Sequence, residues 1–113
     1  MPVRDIFPSE LRKIVPLLHS QEGVTDPIVH VRFLADGLGW AWYVTEGSPE
    51  DDDFVFFGFV IGVEEEWGYF SLSELTEARE LSGNPIERDL HFDPKPFSQV
   101  VAIANRTKDS QDG

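Results

Sequence analysis

EDDDFVFFGFVIGVEEEW, residues 50–67, sets an unbroken apolar run between two acidic clusters. The run, 54–63, is rich in aromatic and β-branched residues and too short to cross a bilayer, so it reads as the central strand of a sheet. Strand alternation puts Val55, Phe57, Phe59, Ile61 and Val63 on one face. Phe54, Phe56, Gly58, Val60 and Gly62 take the other. A strand apolar on both faces needs cover on both, or leaves one aromatic face open for a partner. Gly58 and Gly62 mark a bulge or a close backbone approach.

The flanking segments supply the neighbours. IVHVRFLA (28–35) alternates, DGLG (36–39) is a turn, and GWAWYVTE (39–46) is a second strand. GSPEDDD (47–53) reads as a solvated connection, EEEWG (64–68) as a turn, and WGYFSL as a fourth strand. Ser71 and Glu74 have capping-box spacing and predict a helix over 72–82, stopped by Gly83 and Asn84-Pro85. On that helix Leu72, Leu75 and Ala78 face one way, and Glu74, Glu77 and Glu80 form the opposite stripe. IERDLHFD (86–93) alternates again, and FSQVVAIAN is a short last helix or strand. At the N-terminus Ser9 is the expected cap of a helix over ELRKIVPLLHS that Pro16 kinks or shortens, and EGVTDP is a loop.

These elements predict an α+β fold: a single domain over 1–105, with a mostly antiparallel sheet of four or five strands and two or three helices. Residues 106–113 read as a disordered tail. At 113 residues there is enough chain for one core. The absence of cysteine excludes a disulfide framework and a thiolate zinc site. The start, MPVRDIFPSELRK, lacks a hydrophobic signal region, so a soluble cytoplasmic protein with no membrane segment is expected.

Charge narrows the function further. The formal net charge is −12, and residues 46–93 carry fourteen acids against two bases, whereas the rest of the chain balances to zero. Such a field repels nucleic acid and attracts basic protein surfaces, which argues against direct nucleic-acid binding. Glu50, Asp51, Asp52, Asp53, Glu64, Glu65, Glu66, Glu74, Glu77, Glu80, Glu87 and Asp89 are the candidate partner-binding residues. Carboxylates at strand spacing fall at separations comparable to successive phosphates on a DNA strand. Solubility of an aromatic-rich domain is the competing explanation of the same charge. Trp40, Trp42, Phe54, Phe56 and Trp67 are a candidate aromatic groove for a small molecule or peptide, or else core.

No coherent catalytic set is present. Asp89, His91 and Asp93 on alternate positions of a strand form the best candidate metal array, with a solvated strand face as the alternative. Asp93-Pro94-Lys95 matches part of a metal-dependent nuclease pattern, but proline breaks the strand such sites use and turn chemistry accounts for the residues better. No nucleophile elbow or phosphate loop occurs, and no cofactor is expected.

Three stretches, GWAWYVTE, FFGFVIGVEEEWGYFSLSEL and PIERDLHFDPKPFSQV, resemble a family of small bacterial proteins known as a domain of unknown function, common on plasmids and integrative elements. The resemblance covers about residues 9–100 and is most specific in FSLSEL followed by PIERDL. Trp67 departs from the aliphatic residue expected there. The resemblance implies a mobile-element setting, in which accessory proteins blunt host defences, and carries over no catalytic residues. The expectation is a non-enzymatic acidic accessory protein of a mobile genetic element. It would bind a basic nucleic-acid-handling or defence protein, with a DNA-mimic anti-defence factor as its narrowest form. The alternative is a small-molecule or peptide-binding module using an aromatic sheet face.

Overall fold

The computed structural model describes residues 6–35, 37–83 and 86–101, without the side chains of residues 80–82. The tail 106–113, Asn84-Pro85 and the Glu80 side chain lie outside the described residues. The elements run α1 (Ser9–Arg12), β1 (Ile28–Val29), β2 (Val31–Ala35), β3 (Trp40–Glu50), β4 (Asp53–Ile61), β5 (Glu65–Ser71), α2 (Leu72–Ser82), β6 (Glu87–Arg88) and β7 (Lys95–Pro96). A last helical segment, α3, covers 97–101. Five strands form one antiparallel sheet in the order β5-β4-β3-β2-β6, and β1 pairs with β7 in a small antiparallel sheet. The expected α+β fold is thus the observed one. The middle strand is β3; the hydrophobic run, β4, is its interior neighbour.

The two faces of the sheet are covered differently. On one face Phe54 and Phe56 pack with Phe33, Trp42, Val44, Phe70 and Leu75, under a lid made by Ile6, Phe7 and Val15. Phe7 is fully buried, with its ring centroid 4.8 Å from Phe54 and 4.9 Å from Phe56. Burying a side chain of this size stabilises by about 1.5–3 kcal/mol relative to exposure, so this plug is a main determinant of the fold. On the other face a smaller cluster of Val29, Ala41, Tyr43 and Val100 forms, with Phe59, Phe92 and Phe97 packed against it.

A bulge in β3 explains how a carboxyl group stays out of the aromatic core. The register shifts between Val44 and Glu46, so Val44 pairs with Gly58 and Glu46 pairs with Phe57. Without the extra residue, Thr45, alternation would turn Glu46 toward Phe54 and Phe56. With it, Gly47 takes that place instead, where a Cβ would lie 2.5 Å from the Phe54 ring.

The expected loop 47–53 is mostly strand. β3 and β4 pair to their ends, Glu50 opposite Asp53, which leaves Asp51 and Asp52 as the turn. Asp51 adopts φ 53°, a left-handed conformation that aspartate tolerates better than most residues. Glu65 and Glu66, expected in a turn, lie on β5 opposite Ile61 and Val60. Helix α2 matches its expected span. Ser71 Oγ accepts the Glu74 N–H at 3.1 Å, and Gly83 closes the helix at φ 71°. Helix α1 is shorter than expected; its cap is Pro8, with no side-chain hydrogen bond, and Ser9 is already helical.

The strand expected over 86–93 ends at Arg88. Asp89 Oδ1 accepts the His91 N–H at 3.0 Å and turns the chain, leaving Leu90 exposed.

Candidate functional site: an aromatic cavity walled by a pinned loop

Face parity on β4 and β5 builds the site. Phe57 sits opposite Tyr69 and Phe59 opposite Trp67, so all four rings project from the face that the Phe7 plug does not cover. Phe57 and Trp67 stack at 5.8 Å with a 22° interplanar angle, and Phe57 and Tyr69 lie 4.9 Å apart. The Phe97 ring packs against Trp67 at 4.6 Å and against Phe59 at 5.0 Å. Trp67 remains 39% exposed and Tyr69 59% exposed.

The opposite wall is the segment 19–27. It runs beside the far half of β3, where β2 no longer pairs. There Gly47 donates its N–H to Pro16 O at 2.8 Å and Leu18 N–H donates to Ser48 Oγ at 2.9 Å. The Glu46 carboxyl group, on a residue only 4% exposed, accepts the His19 N–H at 2.9 Å and the Gln21 N–H at 2.6 Å. Gln21 Nε2 donates to Thr45 O and Ile28 O, and Gln21 Oε1 accepts the Ile28 N–H. Farther along, Asp26 accepts the Ser98 N–H at 2.9 Å and its hydroxyl at 2.7 Å, which also holds the Asp26 carboxyl below its ordinary pKa. A loop fixed at both ends in this way is a preformed wall.

Between the loop and the rings lies a cavity of about 360 Å³. Its polar groups are Glu22, Glu46, His19, Gln21, Thr25 and Thr45; no lysine or arginine is among its described lining residues. The volume falls within the range of small-ligand and anchor-residue sites.

The candidate groove of Trp40, Trp42, Phe54, Phe56 and Trp67 is divided between the two faces. Trp42, Phe54 and Phe56 are buried beneath the Phe7 plug, and Trp40 packs on the same side at 5.8 Å from Trp42. Trp67 alone of the five lines the cavity. The open aromatic face belongs to the other half of the alternation, because Ile6 and Phe7 fold back over Phe54 and Phe56. Phe57, Tyr69, Gln21 and Glu46 were not singled out from sequence. Glu46 carried a signal, as a lone acid ending an apolar strand, whereas nothing distinguished Gln21.

The acidic candidates fall into separate groups. Glu50, Asp51 and Asp52 lie at the β3–β4 hairpin tip, with Glu74 and Glu77 exposed on the adjoining α2. Asp53 is engaged internally: it accepts the Ser73 N–H at 3.1 Å, the Ser73 hydroxyl at 2.5 Å and the Phe54 N–H at 2.8 Å. The Ser73 hydroxyl contributes most to lowering its pKa. Glu64, Glu65 and Glu66 lie at the far end of β4, roughly 27 Å away by strand rise. Glu87 and Asp89 lie at the β6 end of the sheet, and Asp89 pairs with Arg32 at 3.2 Å.

Asp89, His91 and Asp93 share no strand face, since the chain turns after Arg88. Among the described residues no group of three or more His, Asp or Glu is placed to hold a metal. Lys95 lies in β7 opposite Val29, with its ammonium 5.0 Å from the Phe92 ring. No described helix is long and apolar enough to cross a membrane.

Fold and site together define a small α+β domain with an acid-lined aromatic cavity on the open face of its sheet. Residues 9–110 match the family model described as a protein of unknown function (DUF2958), and the chain belongs to that family. Comparison with curated proteins and with solved structures gives no match.

Proposed function

We propose that the protein is a non-enzymatic accessory binding module of a mobile genetic element, which takes a basic, nucleic-acid-handling partner protein on the open aromatic face of its sheet. The observation that carries this reading is the cavity: Phe57, Trp67 and Tyr69 beside Glu22 and Glu46, with no lysine or arginine among its described lining residues, in a chain of net charge −12. Exposed tryptophan and tyrosine in a walled depression supply anchor energy. The surrounding carboxylates set association rate and partner choice. The acids at the two ends of β4 extend the negative field beyond the cavity. Mimicry of DNA is the narrower form of the proposal and requires both ends to contact one partner.

The test is capture of basic host proteins at low and high salt by wild type, by Trp67→Ala/Tyr69→Ala, and by Glu64→Gln/Glu65→Gln/Glu66→Gln. A partner held at low salt, lost by the aromatic variant and associating more slowly with the glutamine variant is expected. A partner held equally by all three proteins, at any salt, overturns the proposal. The cavity volume also suits a small ligand as a second reading; binding that is insensitive to salt and confined to small molecules would favour it.

A further inference from the structure

Resting on the binding role just proposed, we infer that the cavity is an arginine-side-chain receptor: it takes the planar guanidinium of a partner's arginine, stacked on the Phe57–Trp67–Tyr69 wall and facing the carboxyl groups of Glu22 and Glu46. Three features select this occupant. First, charge: two carboxyl groups line the cavity and no lysine or arginine among the described residues opposes an incoming cation. Second, shape: the three rings rise from one sheet face and so tile a single wall, with the pinned loop opposite. A flat cation stacks on a single aromatic wall while keeping its edge for hydrogen bonds, whereas a tetrahedral ammonium gains most when rings surround it. Third, desolvation: guanidinium is more weakly hydrated than ammonium, so it suits a depression whose deepest acid, Glu46, is 4% exposed. Each Glu46 oxygen accepts one backbone N–H, which leaves lone-pair capacity for a guanidinium N–H. The loop is already tied down before any ligand arrives, so little ordering entropy opposes binding.

The experiment is a titration of ¹⁵N-labelled protein with N-acetyl-arginine methylamide, its lysine counterpart, and the neutral isostere N-acetyl-citrulline methylamide. The Trp67 indole N–H and the amides of 21–25 and 46 are the reporters, and the titration is repeated on Trp67→Ala and Tyr69→Ala. Both variants lie at exposed positions, and their spectra report whether the fold is kept. Expected are shifts confined to those reporters, at least tenfold weaker binding of citrulline, several-fold weaker binding of lysine, and loss of the arginine response in both variants. Equal binding of citrulline or lysine, shifts centred elsewhere, or no response overturns the inference. A parallel titration with arginine-rich and lysine-rich peptides of equal charge separates the two levels. If both bind equally and both depend on Trp67 and Tyr69, the binding role stands and arginine selectivity falls; if neither binds, the binding role itself falls.

Discussion

Glu46 accepts the backbone N–H of Gln21 at 2.6 Å, and the Gln21 side chain in turn donates to the carbonyl of Thr45, the bulged residue beside Glu46. This reciprocal clamp joins a loop to a strand 25 residues away in sequence. It uses the bulge that diverted Glu46 from the core, so one irregularity both protects the aromatic core and builds the cavity wall.

Removing the Gln21 side chain deletes three hydrogen bonds and leaves Thr45 O and the Ile28 backbone groups without that partner. Gln21→Ala is expected to destabilise the protein by about 2 kcal/mol, since each orphaned buried polar group costs roughly 1–3 kcal/mol and water recovers part of it. Urea denaturation measures the loss. Hydrogen exchange should speed most at the amides of His19, Gln21 and Ile28, while the amides of α2 remain protected.

Two glycines in neighbouring strands should respond very unequally to the same added methyl group. At Gly58 a Cβ would meet the Tyr43 carbonyl oxygen at 1.9 Å, and backbone on the middle strand cannot move aside cheaply. At Gly68 nothing lies within 4 Å. Gly58→Ala is expected to cost about 3 kcal/mol, the upper end for overpacking, and Gly68→Ala to change stability by less than about 0.5 kcal/mol. Denaturation midpoints of the two variants, compared side by side, decide it.

The contrast between the two sheet faces makes a similar pair. Phe56 is fully buried under Phe7, whereas Tyr69 is 59% exposed. Phe56→Ala should cost about 3–5 kcal/mol, and Tyr69→Ala less than about 1 kcal/mol. Thermal unfolding checks both, and a stable Tyr69→Ala protein is what allows its binding defect to be read.

Acid should weaken the fold through Asp53. Its pKa is lowered in the folded state, first by the Ser73 hydroxyl, so its contribution is fully present above the ordinary value of 3.8. That contribution is lost as pH falls through the lowered folded value. Asp53→Asn should therefore narrow its stability gap to wild type as pH drops below about 4. His30 acts in a separate window: burial lowers its pKa from 6.5, so the unfolded chain takes up the proton first. Stability should decline as pH falls from about 6.5 toward the lowered value, and His30→Gln should remove that slope. Chemical denaturation at stepped pH resolves the two windows.

Periodic apolar segments and the caps of α2 were legible because their determinants are close in sequence, whereas the cap expected at Ser9 falls on Pro8. The antiparallel pairing of β2 to β5, and helix α2 between Ser71 and Gly83, follow from such signals. What the sequence concealed depends on contacts across the chain. Phe7 reaches Phe54 over 47 positions and decides which face of β4 is core. Thr45 shifts the register by one residue, which no composition rule marks. The turn at Asp89 ends an alternating pattern early, because Asp89 binds both the Arg32 guanidinium and the His91 N–H. The acidic stretch was visible as a count. Its separation into hairpin ends, a helix face and internal caps came only with the fold.

The most direct measurement is the footprint of a basic partner on the sheet, mapped by amide shifts of ¹⁵N-labelled protein titrated with an arginine-rich peptide at physiological salt. Perturbations should centre on 19–25, Thr45, Glu46, Phe57 and 67–69, and disappear in Trp67→Ala/Tyr69→Ala. A footprint centred on 50–53 and 64–66, unchanged in that variant, would contradict binding at the cavity.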